Sequence, residues 1–405
     1  MLAKISVDKF FVKARSHIMK EEFTEAKYIY QDILNRFPKN KRALKELANL
    51  KNFKQNDSSF FLPQVNLDKL VNLHQKGQLS DVVEEAQILT KKYPNAFIVW
   101  KILGSSAAQI GELDKAIEAY NKCIFLKPDY ADAYINLGVA FKAQGKLFEA
   151  INAYQKFILL NPDNADAHIN VGNALQALHK FDQAIISYNT AILLNPNAPQ
   201  AFYNMGVAHQ AQHKLKEAIE CYNKALLLKP DYAQAYNNIG IALKDQSKLE
   251  EALTAYNKAI LLNINYADAY INMGVVLKDQ GKLDKAITTY NKAILLNPNY
   301  AKAHTNLGVA LHDQGKIDEA ITAYKKSILL NPNYAETYHN LGIALYDQGK
   351  LEDSIEVYNK ALLLKSDYAD VYNSLGNTFK DQGKLDEALE NYNKALLCKP
   401  DYADA

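Results

Sequence analysis

Prolines recur every 34 residues along this chain, and few architectures fit such a ruler. Pro94, Pro128, Pro162, Pro196 and Pro230 stand at that interval, as do Pro298 and Pro332. Ile264 and Ser366 occupy the two skipped marks, and Pro400 resumes the series. One glycine series, from Gly104 to Gly376, keeps the same step through nine members. A second, made of Gly77, Gly111, Gly145, Gly281, Gly315, Gly349 and Gly383, is interrupted by His179, His213 and Ser247; together the two account for all 16 glycines. A period of this length implies one supersecondary unit copied along the chain, each copy burying its apolar face against the next.

The unit Ala301 to Tyr334 shows what the period encodes. Ala303, Asn306, Leu307, Ala310 and Leu311 fall at helical intervals; Gly315-Lys316 interrupts the run. Ile317 to Leu330 then forms a second amphipathic stretch with Ala320, Ile321, Tyr324 and Ser327 on one stripe. Alternation of period two is absent and β-branched content is modest, which disfavours strands. Each unit is therefore expected to be a helix hairpin, and the chain all-α.

An Asp or Asn after the proline position (Asp129, Asp163, Asp231, Asn265, Asn299, Asn333, Asp367) is expected to cap the first helix, in five cases with an acid three residues on. Glycine at the Gly308 position lies in mid-helix, where it costs about 1 kcal/mol relative to alanine. Its recurrence implies close approach of a neighbouring helix. The alanine series from Ala116 to Ala388 is the expected facing surface, with the tyrosines from Tyr120 to Tyr392 four residues further along the same stripe.

Composition removes several functions. The 405 residues carry 47 basic and 45 acidic side chains, so no global charge favours nucleic acid or an anionic membrane. All three arginines (Arg15, Arg36, Arg42) lie in the first 62 residues, a stretch with 13 basic and 7 acidic side chains. The remaining 34 basic and 38 acidic residues include no arginine, the preferred fork for phosphate and base edges. Cys123, Cys221 and Cys398 fit neither a disulfide framework nor a metal motif, which points to a reducing, cytoplasmic setting. The N-terminus lacks a signal-peptide pattern, and no apolar run is long enough to span a membrane.

These residues resemble the tetratricopeptide (TPR) family. Its pattern of spaced aromatic, Leu-Gly, Ala, aromatic and Pro positions is met by Tyr134, Leu137, Gly138, Phe141, Ala150, Tyr154 and Pro162, and again in unit after unit. Full repeats are expected at 97–130, 131–164, 165–198, 199–232, 233–266, 267–300, 301–334, 335–368 and 369–402, with a weaker one at 63–96. The organisation expected is TPR-like helices over 1–55, a linker or hinge at 56–62, a continuous array over 63–402, and the start of a further repeat at 403–405. For 56–62 two readings stand side by side: a hinge, or a cap in which Phe60, Phe61 and Leu62 cover the first layer. The resemblance implies a right-handed superhelical solenoid whose first helices line a concave groove.

An asparagine ladder is the main functional signal. Asn136, Asn170, Asn204, Asn238, Asn272, Asn306 and Asn340 hold one first-helix position in seven consecutive repeats; Ile102 precedes them and Ser374 follows. In the family arrangement that position faces the groove. A carboxamide offers donors and an acceptor, so a row of them suits successive peptide units of an extended polypeptide. Bonds to the adjoining repeat, or inherited duplication, are the competing explanations. Val139, Asn173, Val207, Ile241, Val275, Val309 and Ile343, three residues further on, supply mostly apolar ground between the rungs.

The ladder is similar to that of the N-terminal region of O-linked N-acetylglucosamine transferases, in which asparagines hold the substrate backbone for a C-terminal catalytic domain. The carry-over reaches Asn136 through Asn340 and no catalytic residue. Other transferases also follow such arrays, and the ladder does not choose among them.

The remaining chemistry is sparse. Asp245, Asp279, Asp313, Asp347 and Asp381 form an acidic row, with Lys244, Lys278 and Lys380 adjacent to three of them. His209 and His213 stand four apart, without a third ligand at a recognised spacing. His168 and His304 are read as packing aromatics, and no cofactor motif is present. The chain stops in the first turn of another unit, so a longer parent protein with a polar cap, with or without an enzyme domain, is expected. The resulting expectation is a non-catalytic scaffold that binds protein or extended peptide, with no cofactor, nucleic-acid or membrane partner. The alternative is a recognition arm of a larger glycosyltransferase.

Overall fold

The structure, a computed structural model, describes residues 2–19, 23–53 and 62–401. Among them are 23 α-helices and no strand. Leu2–Met19, Phe23–Arg36 and Lys41–Phe53 come first, followed by the pair Gln64–Gln75 and Leu79–Lys92. Nine hairpins then run from Phe97–Gln109 with Leu113–Leu126 to Ala369–Asp381 with Leu385–Cys398, each a 13-residue helix followed by one of 14. The expected all-α hairpin solenoid is thus the fold of the chain.

Two compact units divide it, Met1–Asn161 and Pro162–Ala405. In the first, Phe11, Ala14, Ala26, Tyr30 and Ile33 form one cluster, and Leu70, Val82, Ala86, Leu103 and Tyr120 belong to another, against which Leu62 packs. Residues 56–61 of the expected linker, and the expected repeat start at 403–405, lie outside the described residues. In the second unit the core runs through successive repeats, with Tyr222, Leu226, Ile239, Leu243, Tyr256, Val276 and Tyr290 in one cluster.

Tyrosine, rather than alanine, is what the mid-helix glycines face. A Cβ on Gly274 would meet the Tyr290 ring at 2.5 Å, and one on Gly342 the Tyr358 ring at 2.3 Å. The alanine series is buried as well, yet it is the large ring, placed directly over the first helix, that forbids a side chain.

The other glycine series closes the first helix. Gly315 has φ 81, its N–H donates to the His312 carbonyl at 2.8 Å, and Lys316 N–H donates to the Leu311 carbonyl at 2.9 Å. This is a Schellman closure, which needs a left-handed residue. His179, His213 and Ser247 take the same conformation, with φ 57, 58 and 61, where L side chains are disfavoured.

The expected N-caps are corrected. The first helices begin two residues after Asp129 and its equivalents, leaving Tyr130, Tyr232, Tyr266, Tyr300, Tyr334 and Tyr368 at the cap position without a side-chain cap bond. Asp and Asn after the proline sit in the reversing turn, which accommodates them as readily as a cap does. Asn164 is the exception and accepts from Ala167 N–H at 2.8 Å. Tyrosine holds the cap position for its ring and hydroxyl: Tyr232 donates to Gln200 at 2.7 Å, and Tyr300 to Asp268, both one repeat back.

Two polar devices between elements had no place in the expected pattern. The glutamine that ends a first helix donates to an acid at the start of the preceding second helix: Gln212 to Asp182 at 2.8 Å, Gln280 to Glu250 at 3.0 Å and Gln314 to Asp284 at 2.6 Å. Secondly, Thr305, Ser327 and Thr337 bury their hydroxyls together, with Thr305 2.8 Å from each of the others and Ser327 donating to the Ala301 carbonyl at 2.9 Å. One repeat earlier the same corner is Ile271, Ala293 and Ala303, all buried.

Candidate functional site

Within the second unit each first helix touches the next first helix, from Ala165–Ala177 through to Ala369–Asp381. Consecutive second helices make no comparable contact. The first helices therefore lie on the inner side of the stack and share one surface, and the second helices splay on the outer side. Glycine and tyrosine position that surface: the ring over each glycine sets how close the two helices of a hairpin approach.

The ladder lies on the first helices. Asn136, in the first unit, is exposed on Ala131–Ala143. In the second unit Asn170, Asn238, Asn272, Asn306 and Asn340 are half-buried and Asn204 is buried. Three of the rungs reach back to the preceding repeat. Asn204 Nδ2 donates to Asn173 Oδ1 at 2.7 Å, Asn238 Nδ2 to the Tyr203 hydroxyl at 3.1 Å, and Asn272 Nδ2 to Asn237 Oδ1 at 3.0 Å. Ser374, at the end of the row, meets His339 Nε2 at 3.1 Å in the same way. Burial holds the His339 imidazole below its ordinary pKa, favouring the neutral ring.

The acceptors divide similarly. Asn204 Oδ1 receives Gln200 Nε2 at 2.7 Å and Asn238 Oδ1 receives Asn237 Nδ2 at 3.3 Å. Asn136, Asn170 and Asn340 make no side-chain hydrogen bond among the described residues, and Asn306 Nδ2 is buried without one. The row thus divides: Asn204, Asn238 and Asn272 are spent on repeat-to-repeat bonds, Asn306 has its donor buried, and Asn136, Asn170 and Asn340 keep uncommitted carboxamides.

Buried tyrosines support the first helices from beneath. Tyr188 extends past Gly172 to donate to Asn173 Oδ1 at 2.8 Å, and Tyr222 donates to Gln210 at 2.7 Å. Burial raises the pKa of both phenols, keeping them neutral donors. Val207, Ile241, Val275, Val309 and Ile343 are half-buried between the rungs, and Val139 is exposed. The aspartates at the helix ends are exposed and partly paired: Lys244 with Asp245 and Lys278 with Asp279 at 3.3 Å, His312 with Asp347 at 2.7 Å, and the Tyr346 hydroxyl with Asp381.

The remaining sequence candidates fall elsewhere. His304 is buried with Nε2 3.1 Å from the Pro298 carbonyl, as Trp100 bonds the Pro94 carbonyl at 2.9 Å and Tyr134 that of Pro128 at 3.1 Å. Trp, Tyr and His are thus interchangeable there because each places a polar tip on that carbonyl. Cys123 and Cys221 are buried, which pushes both thiols up to about 11, whereas Cys398 is exposed. Among the described residues no group of three or more His, Cys, Asp or Glu is placed to hold a metal ion, and no helix is long and apolar enough to cross a membrane.

Comparison with known proteins agrees with this geometry. The family description "TPR repeat" matches residues 104–145, 140–179, 177–213, 242–281, 276–315, 310–349 and 344–383. "Tetratricopeptide repeat" matches 199–232 and 369–402. The chain belongs to the tetratricopeptide repeat family. Among solved structures, the Cut9–Hcn1 hetero-tetramer of APC/C is similar over 98% of this chain and 94% of that one, at 13% identity and TM-score 0.51, a likeness of fold. MamA protein is 30% identical over 42% of this chain and 94% of its own, with TM-score 0.38. YrrB, described as a TPR protein with an unusual peptide-binding site, is 26% identical over 47% and 97%, also with TM-score 0.38. A search of the curated proteins returned no match.

Proposed function

We propose that this chain is a non-catalytic scaffold that binds an extended polypeptide along the shared first-helix surface. The observation that carries the reading is the mixed character of that surface in the second unit. Uncommitted, half-buried carboxamides at Asn170 and Asn340 share that surface with half-buried Val309 and Ile343, so backbone-directed hydrogen bonds and apolar contact are offered side by side. Asn204, Asn238 and Asn272 hold successive first helices in register, which preorganises the surface. Membership of a family built from stacked hairpins supports the same reading, since such stacks present long continuous faces.

A peptide array tests it. The intact chain is expected to retain peptides of varied side-chain sequence but extended conformation, and proline-blocked or helix-stapled versions of the retained peptides are expected to be lost.

A narrower second reading, a substrate-selecting arm of an O-linked N-acetylglucosamine transferase-like enzyme, is supported by the ladder's resemblance to that family. A glycosyltransferase domain encoded together with the array would favour it; a partner or parent sequence without one would favour the plain scaffold.

A further inference from the structure

The tyrosine rings that cross the mid-helix glycines end near the residue four places further along the first helix. Where that residue is glutamine the phenol donates to it, Tyr188 to Gln176 at 3.2 Å and Tyr222 to Gln210 at 2.7 Å. In the next three hairpins the same place is held by Lys244, Lys278 and His312. Each of these is turned to the acidic row instead: Lys244 to Asp245 and Lys278 to Asp279 at 3.3 Å, and His312 to Asp347 at 2.7 Å. The hydroxyls of Tyr256, Tyr290 and Tyr324 therefore have no hydrogen-bond partner among the described residues. Their side chains are 0–2% exposed, yet the oxygens are not sealed in as that of Tyr154 is.

Acids stand beside these donors. Asp313 is exposed and makes no hydrogen bond or ion pair among the described residues, and Asp347 has His312 where Asp245 and Asp279 have a lysine. Burial, and after it the carboxylates of Asp279 and Asp313 at Tyr290 and of Asp313 and Glu336 at Tyr324, raise both phenols. The charged groups acting on the two hydroxyls are thus acids. The turns that follow carry exposed Lys282, Lys316 and Lys350, of which Lys282 reaches away from the row, to Glu250 on the preceding second helix at 3.3 Å.

We propose that the stretch from Asp279 to Asp347 selects a basic polypeptide, its aspartates taking lysine or arginine side chains while the hydroxyls of Tyr290 and Tyr324 donate to backbone carbonyls. This rests on the peptide-binding reading above and names the ligand of that surface. A phenol O–H seeks an acceptor and a free carboxylate seeks a cation, and a basic polypeptide carries both. A metal ion or a polyamine offers the O–H no acceptor. In an extended chain a side chain recurs every third residue at about 10 Å, close to the ~8–10 Å between packed helices, so one basic residue can meet each successive aspartate. Exposed ion pairs contribute only ~0.2–1 kcal/mol each and are screened by salt, so the acids act as a preference added to backbone binding.

Calorimetry of the full chain with three peptides of about 12 residues, repeats of Lys-Ser-Val, Gln-Ser-Val and Glu-Ser-Val, tests the selection. The lysine peptide is expected to bind at least about tenfold more tightly than the glutamine peptide at about 50 mM salt and to lose most of that margin at about 500 mM, with the glutamate peptide weakest. Asp313→Asn/Asp347→Asn, at two exposed positions, is expected to erase the margin with circular dichroism unchanged. Tyr290→Phe/Tyr324→Phe is expected to weaken the lysine and glutamine peptides alike, because both present the same carbonyls. Equal binding of the three peptides, or a margin that survives the aspartate variant, would overturn the selection and leave the peptide-binding reading standing. Unchanged binding by the phenylalanine variant would overturn the phenol contact, and binding of none of the peptides would overturn both readings.

Discussion

A Cβ on Gly308 would stand 2.5 Å from Cε1 of Tyr324, closer than any ordinary carbon–carbon contact. The ring is nearly fully buried, so displacing it disturbs the packing around it. Gly308→Ala is therefore expected to destabilise the array by about 1–2 kcal/mol, overpacking outweighing the ~1 kcal/mol that alanine gains as a helix former. Urea denaturation monitored by circular dichroism gives the value, and a stabilised variant would mean the ring moves freely.

His213 occupies with φ 58 a place that glycine fills in seven other hairpins. His213→Gly relieves the left-handed strain but adds freedom to the unfolded chain. A net gain of about 0.5–1 kcal/mol is expected, read as a raised denaturation midpoint.

The buried hydroxyls of Thr305, Ser327 and Thr337 satisfy one another, and their counterpart at Ile271, Ala293 and Ala303 is apolar. Thr305→Ile alone leaves two hydroxyls with worse partners and is expected to cost about 1–2 kcal/mol. Thr305→Ile/Ser327→Ala/Thr337→Ala recreates the neighbouring corner and is expected to be close to neutral. Additive losses would show that the two corners differ in more than polarity.

Burial raises Tyr120 and Tyr154 from an ordinary pKa of 10 to about 12. Below pH 10 both folded and unfolded chains hold the proton, so the stability of the buried rings is fully present. Between about pH 10 and 12 the unfolded chain ionises while these folded rings do not, and stability falls as pH rises. Thermal melts across that range are expected to show a steep drop in Tm.

The hairpin period, the helix order and the first-helix placement of the ladder were legible because each rests on residue spacing. Partner identity within the packing was less legible. Alanine and tyrosine share one stripe, and only the coordinates show that the Tyr324 ring, not Ala320, crosses Gly308. Pro-Asp and Pro-Asn fit a turn and a helix cap equally well, and the cap falls on Tyr130, one residue after Asp129. The Gln314–Asp284 bond spans 30 residues and joins two unremarkable polar positions, although the regular spacing of both was a usable signal. The ladder's division into committed and uncommitted rungs follows from what Tyr203, Asn173 and Asn237 present one repeat back, and those positions vary.

The central claim is that the uncommitted rungs hold ligand while the committed ones hold the fold, and calorimetry on two variants tests it most directly. With a peptide retained by the wild-type chain, Asn170→Ala/Asn340→Ala is expected to lower affinity by at least about fivefold, from two lost hydrogen bonds of about 0.5–1.5 kcal/mol each, with Tm unchanged. Asn204→Ala/Asn238→Ala/Asn272→Ala is expected to lower Tm instead. Unchanged affinity in the first variant, with the fold intact, would contradict the account.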